Sequence, residues 1–464
     1  MNTRELANLG VPRGEATKLA IRALADACHA GMDRKTARAA LASVLANPQG
    51  YKDDETFGEL AAALIETKQA QDSFMGRSSP APWKQWGTNL EQSAVQQMIN
   101  ACNLPITVCG ALMPDAHQGY GLPIGGVMAA DNAVVPYAVG VDIACRMKMT
   151  VLDLPPAALK DQQPRLRKAI EDETRFGIGS TFTSRRRHDV MDRDWSFSRT
   201  VAELKDKAHS QLGTSGSGNH FAEFGTLTLD HDELGLKAGV YLALLSHSGS
   251  RGPGATIAEH YSKKAMALHR ELPRELIHLA WLDLDSELGQ EYWQAMELMG
   301  LYASANHELI HRSIARNLGA EVLLDIENHH NFAWLETHRG RQLVVHRKGA
   351  TPAGVGMVGI IPGTMATPGY VVRGLGNDAS LHSAAHGAGR RMSRSAAKKQ
   401  LSWSDAKRFL VQRGVTVISA GLDEVPMVYK DIESVMDAQK DLVTPLARFD
   451  PKLVKMAPGG RAEH

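Results

Sequence analysis

The chain has little cysteine, no excess of either charge and no long apolar run, and each shortage excludes a class of protein. Four cysteines in 464 residues, Cys28, Cys102, Cys109 and Cys145, are too few for a disulfide framework, so a reducing cytoplasm is expected. With 52 Lys and Arg against 51 Asp and Glu, the net charge of +1 gives no global sign of nucleic-acid binding. Any such contact has to come from local patches. No charged-then-apolar leader opens the sequence, and no apolar run reaches the roughly 18 to 20 residues of a membrane span. The expectation is a soluble, cytoplasmic chain with no membrane partner. Repeats and long low-complexity segments are absent too, and a hydrophobic share of 43% suits a globular protein with a large core.

What is there changes character along the chain. Residues 13 to 47 are alanine-rich at helical spacing, with Leu19, Ala23 and Ala27 on one side and Asp33 placed to cap a second helix through Leu41 and Val44. A third helical stretch, Glu59 to Gln69, precedes the run Gly76-Arg77-Ser78-Ser79-Pro80-Ala81-Pro82, which breaks helix and strand alike. Residues 1–80 therefore read as a helical extension and residues 81–464 as one large mixed α/β (α+β) domain. In that domain, helices are expected over Pro164 to Thr174, Glu287 to Leu318 and Ile432 to Leu442. Strands are expected at Val240 to Ser246, Gln342 to His346, Tyr370 to Arg373 and Val415 to Ser419. Arg185-Arg186-Arg187 reads as an exposed basic run.

Five metal-ligand side chains sit in stretches rich in Gly, Ser or Asn: Asp142 and Cys145 three residues apart, His220 in Gly-Ser-Gly-Asn-His-Phe, His247 in Ser-His-Ser-Gly-Ser-Arg-Gly, and His330 in Asn-His-His-Asn-Phe. A carboxylate, a thiol and three imidazoles suit a divalent transition metal better than calcium or magnesium. A lone cysteine is usually a small buried hydrophobe, but Asp142 beside it needs a partner or an ion if buried. In a strand His329 and His330 point to opposite faces, so only one is a ligand. A second cluster, His386-Gly387-Ala388-Gly389-Arg390-Arg391-Met392-Ser393-Arg394, joins an imidazole to two glycines and three arginines, a combination that cradles phosphate and offers a nucleophile. Its bland alternative is a packed turn with a solvated basic helix behind it.

Together these strings resemble the RtcB family of RNA ligases. The resemblance rests on Met-Pro-Asp-Ala-His-Gln-Gly from Met113, Val-Gly-Val-Asp-Ile-Ala-Cys, Gly-Ser-Gly-Asn-His-Phe-Ala-Glu, His-Ser-Gly-Ser-Arg-Gly, His-His-Asn, Arg-Lys-Gly-Ala, Ile-Ile-Pro-Gly-Thr-Met, His-Gly-Ala-Gly-Arg and Tyr-Lys-Asp-Ile from Tyr429. These occur in order over roughly residues 90 to 445. It implies a GTP-consuming enzyme with two Mn²⁺ ions that joins an RNA 3′-phosphate or 2′,3′-cyclic phosphate to a 5′-hydroxyl, in RNA repair or tRNA splicing. Its partners would be GTP and RNA with broken or cleaved ends. Carried over, His386 takes the guanylate covalently; Cys145 bridges the ions, with Asp142 and His220 on one and His247 and His330 on the other. Asn219, Phe221, Glu223, Gly387, Gly389, Arg390 and Tyr429 lie at the nucleotide, and Arg251, Lys348 and Arg394 hold RNA or triphosphate oxygens. This chain departs from the family in Arg146, a bulky cation where glycine usually follows the cysteine, and in its tail, where Lys455 is the candidate for a guanine-contacting lysine. The helical extension and the arginine run are also outside the family pattern, so a divergent paralogue is expected. The competing readings are a metal-dependent RNA-end phosphoesterase and a catalytically idle RNA-end-binding protein. Retention of His386 and of all five candidate ligands favours ligation.

Overall fold

Alanines at helical spacing allow close helix approach, and the N-terminal helices pack through them. In the computed structural model, which describes residues 1–12, 14–72 and 74–459, the Glu15–His29 helix buries Ala16, Ala20, Ala23, Leu24 and Ala27. The Arg34–Ala46 helix buries Ala37, Leu41 and Val44 and is capped by Asp33, whose carboxylate accepts from the amides of Lys35 and Thr36. Phe57, Leu60, Ala61 and Leu64 complete the same core, the last three from the Gly58–Asp72 helix. The chain forms two compact units: Met1–Gly76 with Lys264–Ala280, and Arg77–Lys263 with Trp281–His464. The predicted tail beyond Gly459 lies outside the described residues. Among the described residues no helix is long and apolar enough to cross a membrane.

The second unit is mixed α/β, built on an eight-stranded and a five-stranded sheet. In the larger one, Phe221–Leu229, Gly239–Ser248, Arg146–Leu152 and Val322–His329 lie side by side, all antiparallel. The Arg146–Leu152 strand is buried on both faces. Met147, Met149 and Val151 pack into one core, while Arg146, Lys148 and Thr150 face the long Glu287–Asn317 helix, reaching Gly300 and His311 on it. The chain passes from this sheet to the five-stranded one at His330, the single residue between Val322–His329 and Asn331–His338.

One expectation is corrected here, and one strand was missed. The helix begun at Ile432 ends at Asp437 rather than Leu442, because Gln439 is needed in a turn: its carbonyl accepts from Leu442 and Val443, and its side chain accepts from the Ala385 amide. The long strand Val443–Met456 that follows was not predicted. Pro445 and Pro451 disguise it, since proline has no N–H for the ladder; the ladder slips between Pro451 and Leu453 on one side and at the Val371/Val372 step, next to Pro445, on the other.

Candidate active site

Strand register assembles the donors. Phe221 pairs with His247, His247 with Met147, and Arg146 with His329, so four neighbouring strands end at one level. His220 immediately precedes its strand, Cys145 precedes Arg146, and His330 follows His329. Two groups result, Asp142–Cys145–His220 and Cys145–His247–His330, whose ligand atoms lie within 4.8 Å of one another in each group and which share Cys145. His247 Nε2 is 3.0 Å from Cys145 Sγ and 3.2 Å from His330 Nε2, and His220 Nε2 is 2.9 Å from Asp142 Oδ2. Gly249 has to be glycine, because a Cβ there would sit 2.2 Å from Asp142 Oδ1. His329 turns away, its ring packed on Phe332 and Trp334.

The protonation chemistry of this cluster fits a cation. His220 Nδ1 donates to the Ser215 carbonyl at 3.0 Å and His247 Nδ1 to the Asn219 carbonyl at 3.1 Å. In the neutral rings this leaves both Nε2 lone pairs facing inward, as in metal sites where a carbonyl orients the ligating imidazole. His220 Nε2 and the Asp142 carboxylate oxygen 2.9 Å away thus converge on one point. Burial pushes His247 down to about 3 and His330 well below the usual imidazole range, holding both in the ligating form. Burial, and next the Asp142 carboxylate, pushes the Cys145 thiol well up; only a nearby positive charge makes a thiolate there. His330 Nδ1 is buried without a hydrogen bond to any of the described residues.

Next to this cluster stands His386, its ring centroid 5.0 Å from that of His330. His386 Nδ1 is 2.6 Å from Oδ2 of Asp115, which also accepts from the His386 amide at 3.2 Å. Asp115 is fully buried, and Lys430 steadies its strand by donating to the carbonyls of Pro114 and Ala116. This carboxylate fixes the Nδ1–H tautomer and leaves Nε2 as the free lone pair. Gly389, at φ 71°, passes so close that a Cβ would lie 2.1 Å from the Asp115 carbonyl oxygen; Gly387 is buried in the same turn. No role for Asp115 was predicted. The available signal was a lone carboxylate within Leu112-Met113-Pro114-Asp115-Ala116, which must be partnered if buried.

The remaining predicted residues are distributed around these two centres. Glu223 is buried with its carboxyl making no hydrogen bond to a described residue, and burial raises its pKa well above the usual range. Phe221, two residues earlier on the same strand, has its ring 5.8 Å from that of His247, and Asn219 contributes the carbonyl already described. Arg390 and Arg394 both reach Glu424, at 3.1 and 3.4 Å, and Tyr429 donates to the same carboxylate beneath the Arg390 guanidinium. Ser217, Gly218, Arg394, Asp423 and Glu424 line a cavity of about 200 Å³. Lys348 donates to the Tyr120 carbonyl, and burial lowers it to about 7. Arg251 is buried behind His220, with Nε on the Thr214 hydroxyl at 3.2 Å. Of Arg251, Lys348, Arg390 and Arg394, it is Arg390 and Arg394 that meet on one carboxylate, Glu424. Glu424 and Lys430 were not anticipated.

Three side chains depart from expectation. Arg146 does not stand over the donors: on the helix-covered face, its Nε bonds the Ala144 carbonyl, one terminal nitrogen bonds the Gly300 carbonyl and the other pairs with Glu327. Ala144 has φ 56°, so this brace holds an unfavourable turn between Asp142 and Cys145. Arg186 is not part of an exposed run; it pairs with Glu173 at 2.8 Å, bonds the Leu309 carbonyl and Ser313, and stacks on Phe182. Arg185 is exposed but pairs with Asp206. Lys455 registers opposite Ala222 whereas Glu223 registers opposite Val454, so the two lie on opposite faces. The lysine reaches Thr174 and the Phe176 ring instead.

The Arg146 brace yields a prediction. Arg146→Met removes one partner of a largely buried pair, a class of change that costs about 3–5 kcal/mol. Because Lys148 and Ser304 still hold Glu327, we expect about 2 kcal/mol, read from urea unfolding of the metal-free protein. A change within about 0.5 kcal/mol would show that the brace contributes nothing.

Comparison with known proteins adds the following. A family model described as tRNA-splicing ligase RtcB matches residues 97–206 and 187–456. An RNA-splicing ligase RtcB1 of Escherichia coli is 35% identical over 397 residues, covering 78% of this chain and 94% of the relative. The RNA-splicing ligase RtcB of Escherichia coli strain K12 is 34% identical over 397 residues with the same coverage. A tRNA-splicing ligase RtcB of Nanoarchaeum equitans is 32% identical over 441 residues, covering 78% of this chain and 91% of the relative.

Proposed function

The chain belongs to the RtcB family of RNA ligases, and from that premise we propose that it joins an RNA 3′-phosphate or 2′,3′-cyclic phosphate end to a 5′-hydroxyl end at the expense of GTP, with manganese held by the five donors. The observation that carries this reading is the His386–Asp115 pair beside the donor cluster: a histidine with one nitrogen locked by a buried carboxylate and the other free, 5.0 Å from a candidate ligand ring.

Cys145 would be shared, with Asp142 and His220 on one side and His247 and His330 on the other. Bound there, divalent ions supply electrostatic relief of charge on phosphate oxygens. His386 Nε2 forms a bond to the α-phosphorus of GTP, and the bridging oxygen leaves with its electron pair as pyrophosphate. Through that step Nδ1–H stays on Asp115, whose negative charge balances the positive charge that develops on the ring. A cyclic end is first opened by water, which breaks the bond from phosphorus to the 2′-oxygen and leaves a 3′-phosphate; the guanylate then passes from His386 to an oxygen of that 3′-phosphate. The resulting anhydride gives the 5′-hydroxyl a phosphorus to attack, with GMP as the leaving group. Arg390 and Arg394, held by Glu424, are placed to exchange that carboxylate for phosphate oxygens.

Glu223 would select the base. Guanine presents N1–H and an exocyclic amine to a carboxylate, and both bonds favour the ionised form, which burial by itself disfavours. Adenine presents an acceptor at N1, leaving the carboxylate unpaired at about 1–3 kcal/mol. Adduct formation from GTP should therefore exceed that from ATP by about 5- to 150-fold, and Glu223→Gln should narrow the gap. Equal labelling by both nucleotides would exclude this role. The reading as a whole is tested by incubating the protein with Mn²⁺ and α-labelled GTP. A covalent adduct is expected that is lost in acid and stable in alkali, as a phosphorus–nitrogen bond requires; absence of any adduct would refute it.

A further inference from the structure

We propose that the outer faces of the Arg394–Gln400 and Trp403–Gln412 helices form a track for the phosphate backbone of a single RNA strand entering or leaving at His386. The proposal rests on the RNA-joining reading above and identifies where the strand runs beyond its reacting end. It starts from charge. Residues 388–414 carry eight cations, Arg390, Arg391, Arg394, Lys398, Lys399, Lys407, Arg408 and Arg413, against the single carboxylate of Asp405, in a chain whose net charge is +1. A solvated helical face normally mixes signs at i, i+3 and i+4 spacing, and here only Arg408 has such a partner.

Six of the eight cations divide into two sets; of the others, Arg391 donates to the Met427 carbonyl and Arg408 pairs with Asp405. Arg390, Arg394 and Lys398 turn inward to Glu424 and Asp423. Lys399, Lys407 and Arg413 are exposed and pair with no carboxylate among the described residues. Meanwhile the inner faces of both helices are fully used: Ala397 and Ala406 pack with Val425, Val428 and Tyr429, and Leu410 packs with Met365, Val454 and Met456. This anchors the pair to the segment that carries Tyr429, which in turn is bridged to Arg390, four residues from His386. Trp403 and Phe409 are half-buried at the margins of these two cores, Trp403 at the first and Phe409 at the second, and the Arg413 guanidinium lies 5.3 Å over the Phe409 ring. Exposed cations that alternate along the chain with half-exposed aromatics, on helices anchored to the segment that meets Arg390, match the pattern by which proteins hold single strands without reading sequence. The arginine run at Arg185 offers less unpaired charge, since Arg186 is engaged internally and Arg185 pairs with Asp206.

The test uses the full chain and a triple variant, Lys399→Ala with Lys407→Ala and Arg413→Ala. All three side chains are exposed and none belongs to the nucleotide or metal site. Affinity for single-stranded RNA ending in a 3′-phosphate is measured at lengths of about 5 and about 20 nucleotides over a series of salt concentrations. The unmodified protein should bind the longer strand more tightly, and the variant should lose that gain, by at least about tenfold at low salt. Each phosphate contact on a single strand contributes about −0.7 to the slope of log affinity against log salt, so the slope should flatten by about 2. Guanylylation by GTP should not change. An unaltered length dependence and slope would overturn the track, as would loss of guanylylation in a folded variant, which would place these residues at the nucleotide. Failure of the underlying reading has a different signature: the unmodified protein then forms no guanylate adduct.

Discussion

Replacing His386 by alanine is expected to abolish the protein–guanylate adduct while leaving metal content and fold unchanged. The imidazole is proposed to bond phosphorus and no metal, and its ring lies tilted against that of His330 at 5.0 Å between centroids. Asp115→Asn provides the finer test of the same geometry. The carboxylate dictates that Nδ1 carries the proton; an amide in its place can donate to Nδ1 and send the proton to Nε2, where the bond to phosphorus must form. Loss of the equivalent orienting carboxylate in serine proteases lowers turnover about 10⁴-fold. The initial rate of adduct formation should therefore fall by about 10²- to 10⁴-fold, with fold retained. An adduct that survives His386→Ala, or an undiminished rate in Asp115→Asn, contradicts the assignment of nucleophile and orienting partner.

The second large effect belongs to Cys145. Its sulfur is the one donor common to both ligand groups, so Cys145→Ala should lower bound manganese in both and reduce adduct formation by at least about a hundredfold. In the metal-free protein the substitution should matter little, because a buried thiol behaves as a small hydrophobe. The signature is thus a difference between states. Saturating manganese at about 100 times its dissociation constant stabilises a native protein by about 2.7 kcal/mol, and thermal melts should show that increment in the unmodified chain and lack most of it in the variant. Equal metal content and an equal increment would reduce Cys145 to a packing residue.

The donor cluster was legible in the sequence because ligand chemistry is written in residue type: sulfur, imidazole and carboxylate placed in stretches rich in Gly, Ser or Asn. Register then did the rest, bringing four strand ends level. What depends on the face of an element was not legible. Arg146 follows a donor directly, yet the period-two geometry of its strand sends it to the opposite side. Lys455 lies one residue past the partner of Glu223, and the same alternation separates them, but two prolines hid the strand in which that alternation operates. Arg185 and Arg186 look alike in one dimension; only the fold places Glu173 and the Leu309 carbonyl around the second. Asp115 lies 271 residues from His386, and no spacing rule reaches that far. The fold class and the helical N-terminal stretch, by contrast, rest on local periodicity and capping, as at Asp33, and were readable for that reason.

The central claim, that this chain seals RNA through an activated 3′-phosphate, is tested most directly by supplying two RNA fragments, one ending in a labelled 2′,3′-cyclic phosphate and one beginning with a 5′-hydroxyl, with Mn²⁺ and GTP. The predicted result is a joined strand that retains the label at its junction, formed only when GTP is present. A cyclic phosphate that is opened and never joined, or RNA bound without any change at its ends, would contradict it.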